Sequence, residues 1–198
     1  EEIQKGIDRG YISSIVLLEE TAKTPEEAEE LKQIVFERLN SGGEKLTPQE
    51  TRNALYNGDF NQLCIKLSKN EKFKIMWDIP INDDELLQSE TYRKMGDVEL
   101  VLRFFAYRFL DTLTGTVESF LDSYLKNANK FPKETLERLE QLFNDTIDTV
   151  FEIFGEEAFL PPKYERQTNK PQKTIYDPLM QSIAKHIAEK EKLLSQAE

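Results

Sequence analysis

Helix start and stop signals recur along most of this chain and restrict it to a mainly helical fold. Thr24-Pro25 and Thr47-Pro48 each place a hydroxyl at a helix N-cap, a proline at the first helical position and a glutamate three residues after the cap. Apolar residues at helical spacing follow each start. Glycines, which can end a helix in the left-handed conformation, come after the periodic segments at 42–43, 58, 115 and 155.

This punctuation predicts helices over 24–40, 47–57, 60–69, 98–113, 116–128, 132–154 and 175–194. Between them we expect a short turn at 71–77, an irregular stretch over 78–95 with one helical turn at 83–88, and a loop over 156–173. Asp59 and Asp97 are predicted N-caps. The segment 98–113 is apolar almost all round, which predicts that it is the central core helix.

One segment, Tyr11–Leu18, is typical of a β-strand, because it is rich in β-branched residues. A lone strand leaves backbone groups unpaired on both edges. Its partners therefore come from another chain or from upstream sequence. The chain begins Glu1-Glu2-Ile3 without methionine, so we expect a longer protein. The predicted fold is mainly α, a multi-helix orthogonal bundle with one N-terminal β-strand.

Composition excludes several classes of function. The net charge is −11 and no Lys/Arg run exceeds two residues, which argues against direct DNA binding by this part. Cys64 is the only cysteine, so no intrachain disulfide forms and a reducing cytoplasm is expected. With Cys64 in an apolar pattern and His186 the only histidine, on a charged helix, we predict no metal site. No apolar run is long enough to span a membrane.

The segment from Val35 to Ala54, VFERLNSGGEKLTPQETRNA, carries the candidate site. A helix ends at a Gly-Gly turn and a new helix begins four residues later, with free N–H groups at its positive end. Arginine grips phosphate through two N–H groups, and asparagine can donate or accept. The candidate nucleotide-binding residues are Arg38, Asn40, Ser41, Gly42, Gly43 and Arg52. The alternative is that the glycines only end a helix and the arginines pair with Glu37 and Glu50.

The stretch FERLNSGGEKLTPQETRNALYNG resembles the signature F-x-R-L-N-[ST]-G-G-x-x-L-[ST]-P-Q-E-[IL]-R-N-A of the N-terminal domain of GmrSD-type restriction endonucleases, a ParB/sulfiredoxin-like family in bacterial and archaeal defence. Segments 93–104 and 154–159 resemble the family more weakly. Thr51 departs from the family's Ile or Leu. The matching residues are Phe36, Arg38, Leu39, Asn40, Gly42, Gly43, Leu46, Pro48, Gln49, Glu50, Arg52, Asn53 and Ala54.

The resemblance implies a division into 1–58, the C-terminal remnant of a ParB-like nucleotide-binding domain, and 59–198, a helical bundle. It implies that Arg38 and Asn40 border a nucleoside-triphosphate pocket, with the nucleotide and Mg²⁺ held by the full-length protein and no cofactor by this chain alone. The family's D-G-Q-Q-R motif and its HNH nuclease domain are absent from the sequence. Whether the chain is an enzyme is therefore left open.

Three functions remain open. The chain is the helical portion of an NTP-binding or NTP-hydrolysing defence protein, completed by an upstream ParB-like half. Alternatively it is a non-catalytic helical interaction module that holds a second protein chain or forms a homodimer. A helix-turn-helix DNA reader over 25–57 ranks last, because Arg52 is the one exposed base expected on its second helix. We further expect a structural Glu99–Arg103 pair and a solvated loop carrying Tyr164, Arg166, Asn169 and Lys170.

Overall fold

The computed structural model describes residues 22–40, 45–164, 166 and 168–195. This part of the chain contains eleven α-helices and no strand, which confirms the prediction of a mainly helical fold. The predicted strand Tyr11–Leu18 lies outside the described residues. The chain groups into two compact units, Glu1–Lys45 and Leu46–Glu198, whereas the sequence placed a boundary after residue 58.

The first unit contributes helix α1, Pro25–Asn40. Its start follows the sequence signal, since the Glu27 amide donates to Thr24 Oγ1 at 3.2 Å. The Glu27 carboxylate in turn accepts from the Lys23 amide at 2.8 Å. The bond to Thr24 satisfies one of the N–H groups that a helix start would otherwise leave without a partner, and the bond from Lys23 involves the residue before the cap.

The second unit contains the remaining α-helices and three 3-10 segments, Tyr107–Thr112, Gly155–Glu157 and Ile187–Glu189. The α-helices are α2 (Pro48–Leu55), α3 (Asp59–Leu67), α4 (Glu71–Met76), α5 (Asp83–Leu86), α6 (Glu90–Arg93), α7 (Gly96–Ala106), α8 (Val117–Ala128), α9 (Lys133–Phe154), α10 (Lys173–Lys185) and α11 (Lys190–Ser195).

Helix α7 is the central element of this unit, as predicted. It packs against α3, α8 and α10, while the long α9 packs against α3, α4 and α10. The interior combines aliphatic side chains with aromatic rings in edge-to-face contact, such as Phe60 with Phe105 at 5.4 Å and Phe104 with Phe143 at 5.3 Å between ring centroids. Cys64 is buried in the same core, and His186 is exposed, as the sequence predicted.

Two predicted N-caps are wrong. Asp59 is the first residue of α3, and Gly58 occupies its N-cap position. Asp97 lies inside α7, where it is buried, and Met95 takes the N-cap position in the left-handed conformation at φ +54°. Burial of Asp97 against the rest of the unit could not be read from its local sequence, where an aspartate before an apolar run is typical of a cap.

Three further segments differ from the prediction. Regular α-helix ends at Ala106, and the chain continues as a 3-10 segment that contains the non-helical residue Phe109 (φ −120°, ψ 30°). Residues 90–93, predicted irregular, form the short helix α6. The C-terminal helix divides after Lys185 into α10 and α11. At the end of α9, Gly155 takes φ +64°, which favours glycine and explains the stop there.

No helix of the described part is long and apolar enough to cross a membrane.

Candidate functional site

The predicted site residues divide between the two units. Arg38 and Asn40 lie in the last turn of α1, where the Arg38 side chain is exposed. Ser41, Gly42 and Gly43 lie outside the described residues. Arg52 belongs to α2, in the second unit. The nucleotide-binding role of this set therefore stays a prediction, while Arg52 has contacts that the structure defines.

Helix α2 begins with a complete capping box. Thr47 Oγ1 accepts from the Glu50 amide at 3.2 Å, and Glu50 Oε2 accepts from the Thr47 amide at 2.8 Å. The Thr47 hydroxyl also donates to the Lys94 carbonyl at 3.0 Å. The N–H groups of Thr47 and Glu50 are thus already bound within the chain. This arrangement reduces what the start of α2 can offer to an anion.

Arg52 is the largest fully buried side chain of the unit, with 1% of it exposed. Its Nε donates to Asp122 Oδ1 at 2.6 Å, and its Nη2 donates to the Glu118 carbonyl at 3.2 Å. Its Nη1 donates to Gln49 Oε1 at 3.3 Å and to Glu99 Oε2 at 3.4 Å. The guanidinium therefore joins α2 to α7 and α8. A phosphate could reach it only by displacing these acceptors.

Glu99 connects Arg52 to a second cation. Its Oε1 accepts from Lys173 Nζ at 2.7 Å, and its Oε2 lies 3.4 Å from Arg52 Nη1. Burial opposes ionisation of Glu99, but the hydrogen bond from Lys173 and the charges of Lys173, Arg52 and Arg103 outweigh it, so the pKa of Glu99 is lowered. The carboxylate is therefore a negative charge on α7 that binds a cation from α2 and a cation from α10.

Gln49 completes this network on the α2 side. Its side chain is 1% exposed, and its Oε1 accepts from Arg52. Its Nε2 is buried without a hydrogen-bond partner among the described residues. A buried donor without a partner costs free energy, and the bond from Arg52 is the side-chain hydrogen bond that the described residues provide to Gln49.

The predicted Glu99–Arg103 pair does not form. Arg103 instead binds both carboxylate oxygens of Asp177 on α10, through Nε at 3.2 Å and through Nη2. Its guanidinium also lies over the Tyr107 ring, 4.5 Å from the centroid. The alternative pairing of the arginines with Glu37 and Glu50 fails for Arg52, because Glu50 is used in the capping box and Arg52 contacts Asp122 and Glu99.

A second polar cluster at the end of α2 was not predicted. Asn129 Nδ2 donates to the Tyr56 carbonyl at 2.7 Å, and Asn129 Oδ1 accepts from the Asn61 amide at 3.1 Å. Asn61 Nδ2 donates to Asn53 Oδ1 at 2.8 Å. A Cβ added to Gly58 would lie 2.6 Å from Asn129 Cγ. A side chain at position 58 would therefore displace the Asn129 amide group, which these hydrogen bonds hold.

The late loop is solvated, as expected, except for one anchor. Tyr164 is 85% exposed, and Asn169 and Lys170 are exposed. Arg166 is half-buried and donates to the Pro161 carbonyl at 3.1 Å and to Glu157 Oε2 at 3.1 Å. The hydrogen bond and charge of Arg166 lower the pKa of Glu157. Arg166 therefore connects the loop to the 3-10 segment Gly155–Glu157 that follows α9.

The described residues contain no group of three or more His, Cys, Asp or Glu side chains placed to hold a metal ion. Burial raises the pKa of the Cys64 thiol, which keeps it protonated and unreactive.

Comparisons of the chain with protein-family models, with curated proteins and with solved structures found no match.

Proposed function

We propose that this chain is the helical portion of a ParB-like, NTP-binding or NTP-hydrolysing protein related to GmrSD-type restriction systems, and that it is inactive as an isolated fragment. In this proposal Tyr11–Leu18 is a strand of a ParB-like sheet, the helices of the second unit pack as an orthogonal bundle, and an upstream half supplies most of the chemistry. The support is the resemblance carried by Phe36 to Ala54.

The contacts of Arg52 refine the assignment of the site. The LTPQETRNA half of the motif makes internal contacts: Thr47 and Glu50 cap α2, Arg52 binds Asp122 and Glu99, and Asn53 binds Asn61. On the strength of the resemblance, we keep Arg38, Asn40, Ser41, Gly42 and Gly43 as the proposed phosphate contacts. Arg52 becomes the residue that anchors α2 to the helical support.

Calorimetry with ATP, GTP and CTP in the presence of Mg²⁺ tests this division. We expect binding to a longer chain that includes the upstream half and none to the present chain. In the longer chain, Arg38→Ala lowers nucleotide affinity at least about tenfold, the size of losing a charged hydrogen bond. Arg138→Ala is the matched control, because Arg138 is an exposed arginine on α9. Equal, tight binding by the present chain would refute the division, and an unchanged affinity in Arg38→Ala would refute the site.

A second candidate function is a non-catalytic helical interaction module. The observation that favours it is the surface around α5, where Ile81 and Leu87 are 50% and 60% exposed. Between them lie the exposed acidic residues Asp83, Asp84 and Glu85. An apolar pair flanking three carboxylates fits a partner whose surface is basic with apolar positions. The partner is a second protein chain or a second copy of this one.

Light scattering on the present chain at increasing concentration separates the two forms of this candidate. A homodimer gives a mass that doubles with concentration and returns to the monomer value in Ile81→Asp/Leu87→Asp. A chain that stays monomeric at high concentration contradicts the homodimer, while nucleotide binding by the longer chain supports the first proposal independently.

A further inference from the structure

A cleft of about 500 Å³ opens between the 3-10 segment Tyr107–Thr112 and helix α8. It lies outside the candidate nucleotide site and contains none of the residues assigned there. Its size falls within the range of pockets that hold small organic molecules.

Aromatic rings supply most of the apolar lining, from Phe109, Phe120, Tyr124 and Phe131. Phe109 and Tyr124 lie 6.0 Å apart between centroids, with their planes tilted by 33°. Phe109 is the residue whose φ and ψ depart from helical values, and 51% of its side chain stays exposed. A flat aromatic molecule in the cleft would cover part of this exposed ring.

Three hydroxyl groups of the lining donate their hydrogens to backbone carbonyls of the chain. Thr112 Oγ1 donates to the Phe109 carbonyl at 2.7 Å, and Ser123 Oγ donates to the Ser119 carbonyl at 2.9 Å. Ser119 Oγ donates to the Thr116 carbonyl at 2.9 Å. Because a hydroxyl has one hydrogen and two lone pairs, Thr112 and Ser123 can offer only an acceptor to a ligand.

The lining carries no charge at neutral pH. Besides the four aromatic residues it consists of Thr112, Thr114, Ser119, Ser123 and Asn127. Burial raises the pKa of Tyr124, although the charge of Arg108 opposes the shift, so the phenol stays neutral. An uncharged, mainly aromatic lining favours an uncharged ligand, since it offers no partner for a buried ion.

From these observations we propose that the cleft is a binding site for a small, uncharged, flat aromatic molecule that carries an N–H or O–H donor at its edge. The rings of Phe109 and Tyr124 pack against its plane. The lone pairs of Thr112 and Ser123 accept its hydrogen bond. This site is independent of the proposed nucleotide contacts, and its test does not require the upstream half.

Two probes of nearly the same shape test both parts of the proposal. Indole has one N–H donor, and 1-benzofuran has an oxygen in its place. Each is titrated into the ¹⁵N-labelled full chain, and amide shifts along α8 and the 3-10 segment are followed. We expect indole to bind with a Kd of roughly 1 mM or below, about fivefold more tightly than benzofuran, as for one hydrogen bond. Equal affinities, or no shifts with either probe, overturn the proposal.

Variants of the chain test which residues of the cleft bind the probe. Phe109→Ala lowers indole affinity at least about fivefold, whereas Phe154→Ala, the matched control, leaves it unchanged, because Phe154 is also about half exposed (47%) but does not line the cleft. Thr112→Val/Ser123→Ala reduces the indole-to-benzofuran ratio towards one without removing binding. A ratio unchanged in this double variant overturns the assigned acceptors.

Sedimentation velocity tests the alternative that a second copy of the chain covers the cleft. If the chain dimerises, if Phe109→Ala abolishes the dimer and if indole does not compete with it, the cleft is covered by a second copy, and the small-molecule site is refuted.

Discussion

Arg52 Nε lies 2.6 Å from Asp122 Oδ1, and this contact joins the short helix α2 to α8 across 70 residues of sequence. The same guanidinium reaches Glu99 on α7. A helix of eight residues is not stable on its own hydrogen bonds, so contacts with the rest of the unit must stabilise α2. We infer that this buried cation, rather than apolar packing alone, fixes the position of the motif helix.

We predict that Arg52→Met destabilises the chain by about 3 kcal/mol, because the carboxylates of Glu99 and Asp122 would be left without their buried partner. The measurement is urea unfolding followed by circular dichroism. Arg138→Met provides the control, since Arg138 forms an exposed pair with Glu134 on α9 and its removal should cost less than about 0.5 kcal/mol. Equal stability losses in the two variants would show that Arg52 is not an anchor.

The close contact between position 58 and Asn129 predicts the effect of substituting Gly58. A methyl group there would meet Asn129 Cγ at 2.6 Å, and the Asn129 side chain is held by Tyr56 and Asn61. We expect Gly58→Ala to cost about 1–3 kcal/mol, as for overpacking of a filled site. The backbone at Gly58 is extended (φ −171°), so strain in φ does not contribute.

A double-mutant cycle checks the cause of that loss. Asn129→Ala removes the clashing side chain along with its hydrogen bonds, so Gly58→Ala should cost much less in the Asn129→Ala background than in the wild type. Additive losses in the double variant would mean that the methyl group and Asn129 do not interact.

Sequence signals predicted the helices well because helix starts and stops are local. Thr47 caps α2 as predicted, α8 spans Val117–Ala128 against a predicted 116–128, and Gly155 ends α9. Pairings between helices were not predicted, because they join residues that lie far apart in the sequence. Arg52 lies 47 residues from Glu99, and Arg103 lies 74 from Asp177, so their pairing depends on helix packing that periodicity does not specify.

The same limit explains the errors in the predicted cap at Asp97 and in the expected exposure of Arg52. Asp97 has the local sequence of a cap, yet packing of its surroundings buries it. Arg52 was expected to be an exposed base, because its place in α2 gives no sign of the acidic residues that α7 and α8 bring to it. A helix whose polar residues outnumber its apolar ones can still face inwards when another helix supplies opposite charges.

The lowered pKa of Glu99 predicts that the chain loses stability in acid. Its pKa is lowered in the folded chain, so it contributes stability that is present above its ordinary pKa of 4.5 and is lost as the pH falls through the folded-state value. Glu99→Gln should therefore be less stable than the wild type near pH 7, and the gap should narrow towards about pH 3. Denaturant unfolding at several pH values measures it. Glu134→Gln, on the exposed face of α9, should stay within about 0.5 kcal/mol of the wild type.

Asp97, two residues earlier on the same helix, should change the pH dependence of stability in the opposite direction. Its burial raises the pKa against the opposing effects of hydrogen bonding and of the Lys74 charge. An acid whose folded-state pKa is raised favours the folded chain when protonated, and that contribution is lost as the pH rises through the folded-state value. Asp97→Asn, which stays neutral, should therefore gain stability relative to the wild type as the pH rises above the ordinary aspartate pKa of 3.8. The stability of Glu99→Gln relative to the wild type should change with pH in the opposite direction and at lower pH, below about pH 4.5. If the relative stabilities of the two variants changed in the same direction with pH, both assignments would be contradicted, because burial of Asp97 and ion pairing of Glu99 require opposite slopes.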